Sequence, residues 1–243
     1  MEVSLQNKII LVTGGTGGLG QSLVRTFARE NAKVLFTYHT HTERAGDLEK
    51  LGAHGYSVNL GNRKSVADFV SAVKENFPRL DGLIHNAGVS KDHTLVKLEE
   101  SEFEESVEIN LSAVFKISAG LLPLLQKSNL PKIINVVSRT GLRGNFGQTA
   151  YAASKAGLIN LTKTMAAEWG AKGILVNAIT PGYLMSDMTR ELPEFVHQKA
   201  RNESYVGVIS DSEEVANFAA YLMSDQVKKL TGQIFHYDTR RNQ

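Results

Sequence analysis

The chain has 243 residues, 42% hydrophobic and 21% charged, an ordinary make-up for a globular protein able to bury a sizeable core. Lysine and arginine number 27 against 25 acidic residues, a net charge of +2, so no basic excess marks a nucleic-acid binder. There is no cysteine, which excludes disulfides and thiolate chemistry and fits a reducing compartment.

The N-terminal apolar run is about five residues, too short for a signal peptide or a membrane span, so a cytoplasmic protein is expected. That run, KIILV (8–12), stops at a glycine cluster and reads as the first strand. KVLFT (33–37), DGLIHN (81–86), KIINVVS (132–138) and GILVNAI (173–179) are similar runs. Segments with helical spacing lie between them, at 18–30, 42–51, 62–76, 101–127 and 151–171. The acidic stretch EESEFEES (99–106) reads as a solvated helix face.

Strands alternating with helices of this length predict an α/β fold, a doubly wound parallel sheet with helices on both faces. A shorter strand before Asn59 and a last one near GQIFHY (232–237) bring the sheet to about seven strands. No Pro- or Ser-rich linker divides the chain, so residues 1–243 are read as a single domain. The stretch 183–204 breaks the rhythm after Pro181-Gly182, beyond a strand's C-terminal end, and reads as a mobile lid.

TGGTGGLG (13–20) joins the first strand to the first helix. Glycines there allow a tight turn and let backbone amides approach a pyrophosphate at the positive end of a helix. Gly14, Gly18 and Gly20 carry this dinucleotide reading, and the missing GK[ST] ending excludes a phosphate-transferring P-loop. The second strand ends in FTYHTHTER (36–44), without the acid that would bind ribose hydroxyls and repel a 2′-phosphate. His39, His41 and Arg44 stand nearby instead, which leans toward NADPH, with NADH left open. The HTH pair has no third ligand nearby, and no metal is expected.

With the glycine loop, HNAG (85–88), Asn110, Ser138 and YAASK (151–155) in this order, the chain resembles the short-chain dehydrogenases/reductases over essentially its whole length. Within that family it is most similar to 3-oxoacyl-[acyl-carrier-protein] reductases, through GNFGQTAYAASKAGLINLTK (144–163), GILVNAITPGYLMSDMT (173–189) and TGQIFH (231–236). The resemblance implies a single Rossmann domain, an NAD(P)(H) cofactor, a homotetramer, and a tetrad on Asn110, Ser138, Tyr151 and Lys155.

It further implies cofactor contacts from Gly14, Thr16, Gly17, Gly18, Leu19 and Gly20, then from Thr37, Tyr38 and His39. Asn59, where the family has an aspartate, and Leu60 are placed at the adenine. Asn86, Ala87 and Gly88 follow the fourth strand, with Asn86 either contacting the cofactor or bracing the sheet. Tyr151, Lys155, Pro181, Gly182 and Leu184 complete the set.

A ketone that receives hydride develops alkoxide charge and needs hydrogen-bond donors and then a proton. Tyrosine ordinarily holds its proton up to a pKa near 10. Lys155, four residues along a helix, shares Tyr151's face and is expected, with an oxidised nicotinamide ring beside it in the reverse direction, to favour the phenolate. Ser138 is expected to hold the substrate oxygen, and Asn110 to hold a water linking Lys155 to solvent.

Lys132 and Lys172 stand where the resemblance puts basic residues that meet an acidic carrier protein, and Arg139 and Arg143 are placed to guide a phosphopantetheine phosphate. Leu158, Leu161, Met165 and Trp169 form a stripe that is either core or subunit contact. Departures from the family are Gly17 in place of an arginine, Val208 in place of another, and the tail DTRRNQ (238–243).

The expected activity is NADPH-dependent reduction of a 3-oxoacyl thioester, on a carrier protein or coenzyme A. The alternatives are a related enzyme acting on an alcohol, sugar or steroid ketone, and a non-catalytic dinucleotide sensor, which would carry a broken tetrad.

Overall fold

The computed structural model describes residues 3–241; the last two residues of the tail lie outside the described residues. Seven strands form one sheet: β1 (Ile9–Val12), β2 (Lys33–Tyr38), β3 (His54–Ser57), β4 (Gly82–His85), β5 (Lys132–Val136), β6 (Leu175–Thr180) and β7 (Ile234–His236). Their order is β3-β2-β1-β4-β5-β6-β7, and every pairing is parallel. The doubly wound Rossmann architecture expected from the sequence is present as one domain.

The inner strands read as largely apolar runs because both faces are covered, while the edge strands β3 and β7 are partly exposed. Ile10, Val12, Val34 and Phe36 point into one core layer, shared with α1 (Gly18–Arg29), α2 (Thr42–Glu49) and α9 (Ser212–Met223). Ile9, Leu11, Leu35, Leu83 and Ile133 point into the other, shared with α3 (Arg63–Asn76), α5 (Ala113–Leu125) and α7 (Thr149–Trp169). Leu158 and Met165 of the α7 stripe are core, and Leu161 and Trp169 pack half-buried against it.

Four features differ from the sequence reading. The helix expected over 101–127 is α4 (Glu100–Val107) and α5, joined by a π-helical turn, Glu108–Ser112, centred on Asn110. A short helix, α6 (Thr140–Arg143), follows Ser138, and the lid stretch contains α8 (Glu194–Glu203). Helix α9 was not anticipated. Its signals are an N-cap at Asp211, whose carboxylate accepts from Glu213 N at 2.6 Å, and the apolar spacing of Val215, Ala216, Ala219 and Ala220.

The carrier-docking role expected for Lys132 is corrected here, while Lys172 is exposed in the turn before β6. Lys132 opens β5, at the opposite end of the sheet from Ser138. Lys132 is 3% exposed, and its ammonium donates to Leu222 O at 3.0 Å, Val227 O at 2.5 Å and Ser224 O. It therefore ties β5 to the C-terminal end of α9, where backbone carbonyls lack intrahelical partners. Burial pushes its pKa down to about 8, with Lys8's charge adding to the effect. Lys132→Met should lower the unfolding free energy in urea by about 1–3 kcal/mol, by stranding three carbonyls; a surface docking lysine would change it by less than about 0.5 kcal/mol.

Candidate active site

The strand order reverses at β1, whose neighbours are β2 on one side and β4 on the other. Ligands of such folds enter the crevice at that switch point, beyond the strands' carboxyl ends. The glycine loop sits there, fixed from both sides. Gly14 N donates to Thr37 Oγ1 at 3.0 Å and Gly15 N to Thr37 O at 2.8 Å. From β4, Asn86 Nδ2 donates to Thr13 O and Gly14 O, each at 3.1 Å, so Asn86 is a brace. Thr13 Oγ1 accepts from Asn86 N and Ala87 N, also at 3.1 Å.

Two glycines are sterically required. Gly14 has φ +67°, and a Cβ there would lie 2.9 Å from Ala87 Cα. A Cβ on Gly20 would lie 2.0 Å from Gly14 O. Gly17, at the N-cap of α1, supplies no side chain to cap the helix. The first amides of α1 thus keep their donors for an anion, which fits a dinucleotide pyrophosphate.

The other expected cofactor positions divide by exposure. Thr16, Leu19 and Thr37 are buried, Tyr38 is half-buried against Phe36, and His39 is exposed at the end of β2. Asn59 is exposed beyond β3, with Oδ1 accepting from Gly61 N at 2.9 Å, beside half-buried Leu60. Gly182, at φ +77°, packs on Ser210 and on Tyr237 and Asp238 just beyond β7; a Cβ there would meet Ser210 Oγ at 2.3 Å. Pro181 lies half-exposed beside it, while the Leu184 side chain is buried in the core, leaving only its backbone toward the crevice.

Tyr151 and Lys155 project from one face of α7 toward the end of β5. Lys155 Nζ stands 5.7 Å from the centroid of the Tyr151 ring and donates to Val136 O at 2.8 Å. The Ser138 hydroxyl, whose oxygen accepts from Thr140 N at 3.1 Å, is the polar neighbour that acts on the Tyr151 phenol. Lys155 is 3% exposed, and burial pushes its pKa down to about 8.

Burial pushes the Tyr151 pKa up, Asp92's charge acts the same way, and the neighbouring Ser138 hydroxyl opposes them. In the ligand-free protein the phenol therefore keeps its proton.

Asn110 is wholly buried, and its amide is committed to protein. Nδ2 donates to Val89 O at 2.9 Å and Ser154 Oγ at 3.0 Å, while Oδ1 accepts from Val89 N at 2.9 Å. The π turn aims the amide inward. A Cβ on Gly88 would come within 3.1 Å of Asn110 Oδ1 and 3.5 Å of Lys155 Nζ, so that glycine lets the loop close over both. Arg139 is also tied into the protein, donating to Arg241 O at 3.0 Å and Glu203 Oε2 at 3.3 Å; Arg143 is exposed on α6.

Sequence reasoning missed two groups here. Gln148 joins the loops bordering the cleft, donating to Asp92 at 3.0 Å and accepting from Asn145 at 2.9 Å. His85, read only as part of HNAG, is fully buried, with Nε2 at 2.7 Å from Ser118 Oγ. Burial, with the Lys155 charge second, pushes its pKa down to about 3.

A doubly wound sheet with a glycine loop at its switch point, and a Tyr–Lys–Ser cluster facing the same crevice, defines a dinucleotide-dependent oxidoreductase. The profile of the family described as Enoyl-(Acyl carrier protein) reductase matches residues 14–239. The 3-oxoacyl-[acyl-carrier-protein] reductase FabG of Thermotoga maritima is 35% identical, over 96% of this chain and 97% of its own length. Those of Vibrio cholerae and Escherichia coli are each 33% identical over the same shares.

Two solved structures are similar throughout. RhlG of Pseudomonas aeruginosa in its NADP complex has a TM-score of 0.91 at 29% identity, covering 98% of both chains. A short chain dehydrogenase of Burkholderia cenocepacia with NADP has a TM-score of 0.89 at 28% identity, covering 97% of this chain and 98% of that one. The chain belongs to the short-chain dehydrogenase/reductase family and is an NAD(P)H-dependent oxidoreductase.

Two outcomes test this geometry. Gly20→Ala should abolish measurable dinucleotide binding in calorimetry and cost about 1–3 kcal/mol of stability by overpacking, because the Gly14 carbonyl must move. His85 should remain neutral in the folded state down to about 3, while its unfolded counterpart protonates near 6.5. In that window the unfolded chain binds the extra proton, so His85 lowers stability as the pH falls, by roughly 1.4 kcal/mol per pH unit at its steepest. In urea titrations between pH 7 and pH 4.5, wild type should lose more stability than His85→Asn; equal losses would contradict the assignment.

Proposed function

We propose that the protein reduces a 3-oxoacyl thioester to the 3-hydroxyacyl form with NADPH. The observation that carries this reading is the hydroxyl pair of Ser138 and Tyr151, with the Lys155 ammonium behind the phenol. Two O–H donors at one point suit a carbonyl oxygen that gains negative charge. The bound dinucleotide supplies the hydride. Ser138 then donates to the substrate oxygen and Tyr151 delivers its proton to it.

Burial, which keeps the phenol protonated beforehand, is the state a reductase needs. Once the proton has left, the Lys155 cation stabilises the phenolate. Asn110 acts through position, holding Val89 and Ser154 so that the cleft wall and α7 keep their spacing. The relatives named 3-oxoacyl-[acyl-carrier-protein] reductase support the thioester substrate, and the two NADP complexes support the cofactor. A cytoplasmic homotetramer is part of the same reading.

The family description names enoyl reductases, so reduction of a carbon–carbon double bond is the second reading. NADPH oxidation measured with a short 3-oxoacyl thioester, the matching enoyl thioester and a simple ketone separates them. Turnover at least tenfold faster with the 3-oxoacyl thioester is expected, and faster enoyl turnover would overturn the proposal. Tyr151→Phe should reduce kcat/KM by about 10²–10⁴-fold while dinucleotide binding persists; unchanged hydride transfer would remove Tyr151 from the mechanism.

A further inference from the structure

Arg44, in the first turn of α2, reaches two places at once. Its Nη1 donates to Thr16 O in the glycine loop at 3.3 Å. The same guanidinium grips Asp187 of the lid stretch with both arms, Nη1 to Oδ2 at 2.5 Å and Nη2 to Oδ1 at 3.1 Å. His41 Nε2 stands 3.9 Å from that carboxylate.

Asp187 is the tip of a small hook. Thr189 Oγ1 accepts from Ser186 N at 2.9 Å and donates to Leu184 O at 2.6 Å, which fixes residues 184–189 as a turn. The hook lies on the N-terminus of α1: a Cβ on Gly18 would fall 3.0 Å from Ser186 Cβ. An acid is thus held at the junction of the glycine loop and the end of β2, where this fold places an adenosine ribose. The glycine loop TGGTGGLG itself carries no charged residue, and Arg44 is bonded both to it and to Asp187, with His41 and Arg190 also acting on that carboxylate.

We propose that Asp187 is an internal stand-in for the 2′-phosphate of NADPH, competing with it for Arg44. This rests on the NADPH reading above. The pair is about one-third exposed on each side, 33% for Arg44 and 36% for Asp187, so water screens it and it is readily exchanged. A phosphate monoester brings a charge of about −1.5 to −2 and three acceptor oxygens, against one negative charge on the carboxylate. It also matches the guanidinium fork as well as a carboxylate does. NADPH therefore takes Arg44 and releases the hook from the crevice, whereas NADH, without the phosphate, leaves Arg44 on Asp187. The contact couples cofactor choice to lid position.

Calorimetric titration with NADPH and NADH separately, together with hydrogen exchange of residues 184–190, tests this on the full chain. Arg44→Gln should lower the NADPH:NADH affinity ratio at least tenfold. Asp187→Asn, which removes the competitor, should raise that ratio three- to tenfold. Exchange in residues 184–190 of wild type should quicken with NADPH and not with NADH. The inference fails if Asp187→Asn leaves the ratio within twofold or lowers it, or if Arg44→Gln weakens both cofactors alike. A wild type that binds NADH in preference to NADPH would overturn the cofactor reading itself, and this inference with it.

Discussion

A lysine ammonium held out of water is the constraint around which the rest of this structure is arranged. Lys155 has a single hydrogen-bond acceptor among the described residues, Val136 O, and the face of Tyr151 at its side. Burial at that place disfavours its charge, yet the charge is what the neighbouring phenol needs once its proton has gone. Keeping the amine there requires α7 to lie very close to its neighbours. A Cβ on Gly141 would come 2.7 Å from the Lys155 backbone, and one on Gly157 would come 2.7 Å from Leu111. The small residues around Tyr151 and Lys155 in YAASKAG are a consequence of that approach.

The surroundings of the lysine also limit which other charges can exist. His85 lies on β4, beside Asn135 of β5, in the layer beneath α5 and α7. A second cation so near Lys155 would be costly, and burial together with that lysine keeps the imidazole neutral. Ser118, Thr162 and Ser154 supply hydroxyl partners to His85, Asn135 and Asn110 in turn. Below this polar layer the same face of the sheet is apolar, through Leu11, Leu83 and Ile133. The crevice end therefore carries polar groups with one hydroxyl partner each, His85 Nδ1 and Asn135 Oδ1 being left unpaired among the described residues, and the opposite end carries the core.

Much of this was legible in the chain. The apolar runs gave the five inner strands because parallel strands buried on both faces leave an unbroken hydrophobic signature. The edge strands β3 and β7 are more exposed and leave a weaker one. The Tyr151–Lys155 spacing and Gly14 and Gly20 were legible because each reflects a local rule: one helical turn, one left-handed residue, one close approach. What stayed hidden depended on partners distant in sequence. Lys132 looked like a surface lysine until α9, some ninety residues on, closed over it. Arg44 and Asp187 are 143 positions apart, so no local pattern announces their contact. Spacing also reveals a neighbouring cation but not the depth of burial that keeps the proton on Tyr151 before a cofactor is bound.

The account stands or falls on the state of one amine. Lysine amines labelled with carbon-13 by reductive methylation can be followed by NMR as the pH is raised, with Lys155→Met used to assign the signal. The account predicts that in the ligand-free protein the Lys155 amine titrates near 8, well below the ordinary 10.5. Titration at the ordinary value would mean that the amine is solvated and turned away from Tyr151, which contradicts the arrangement on which everything else depends.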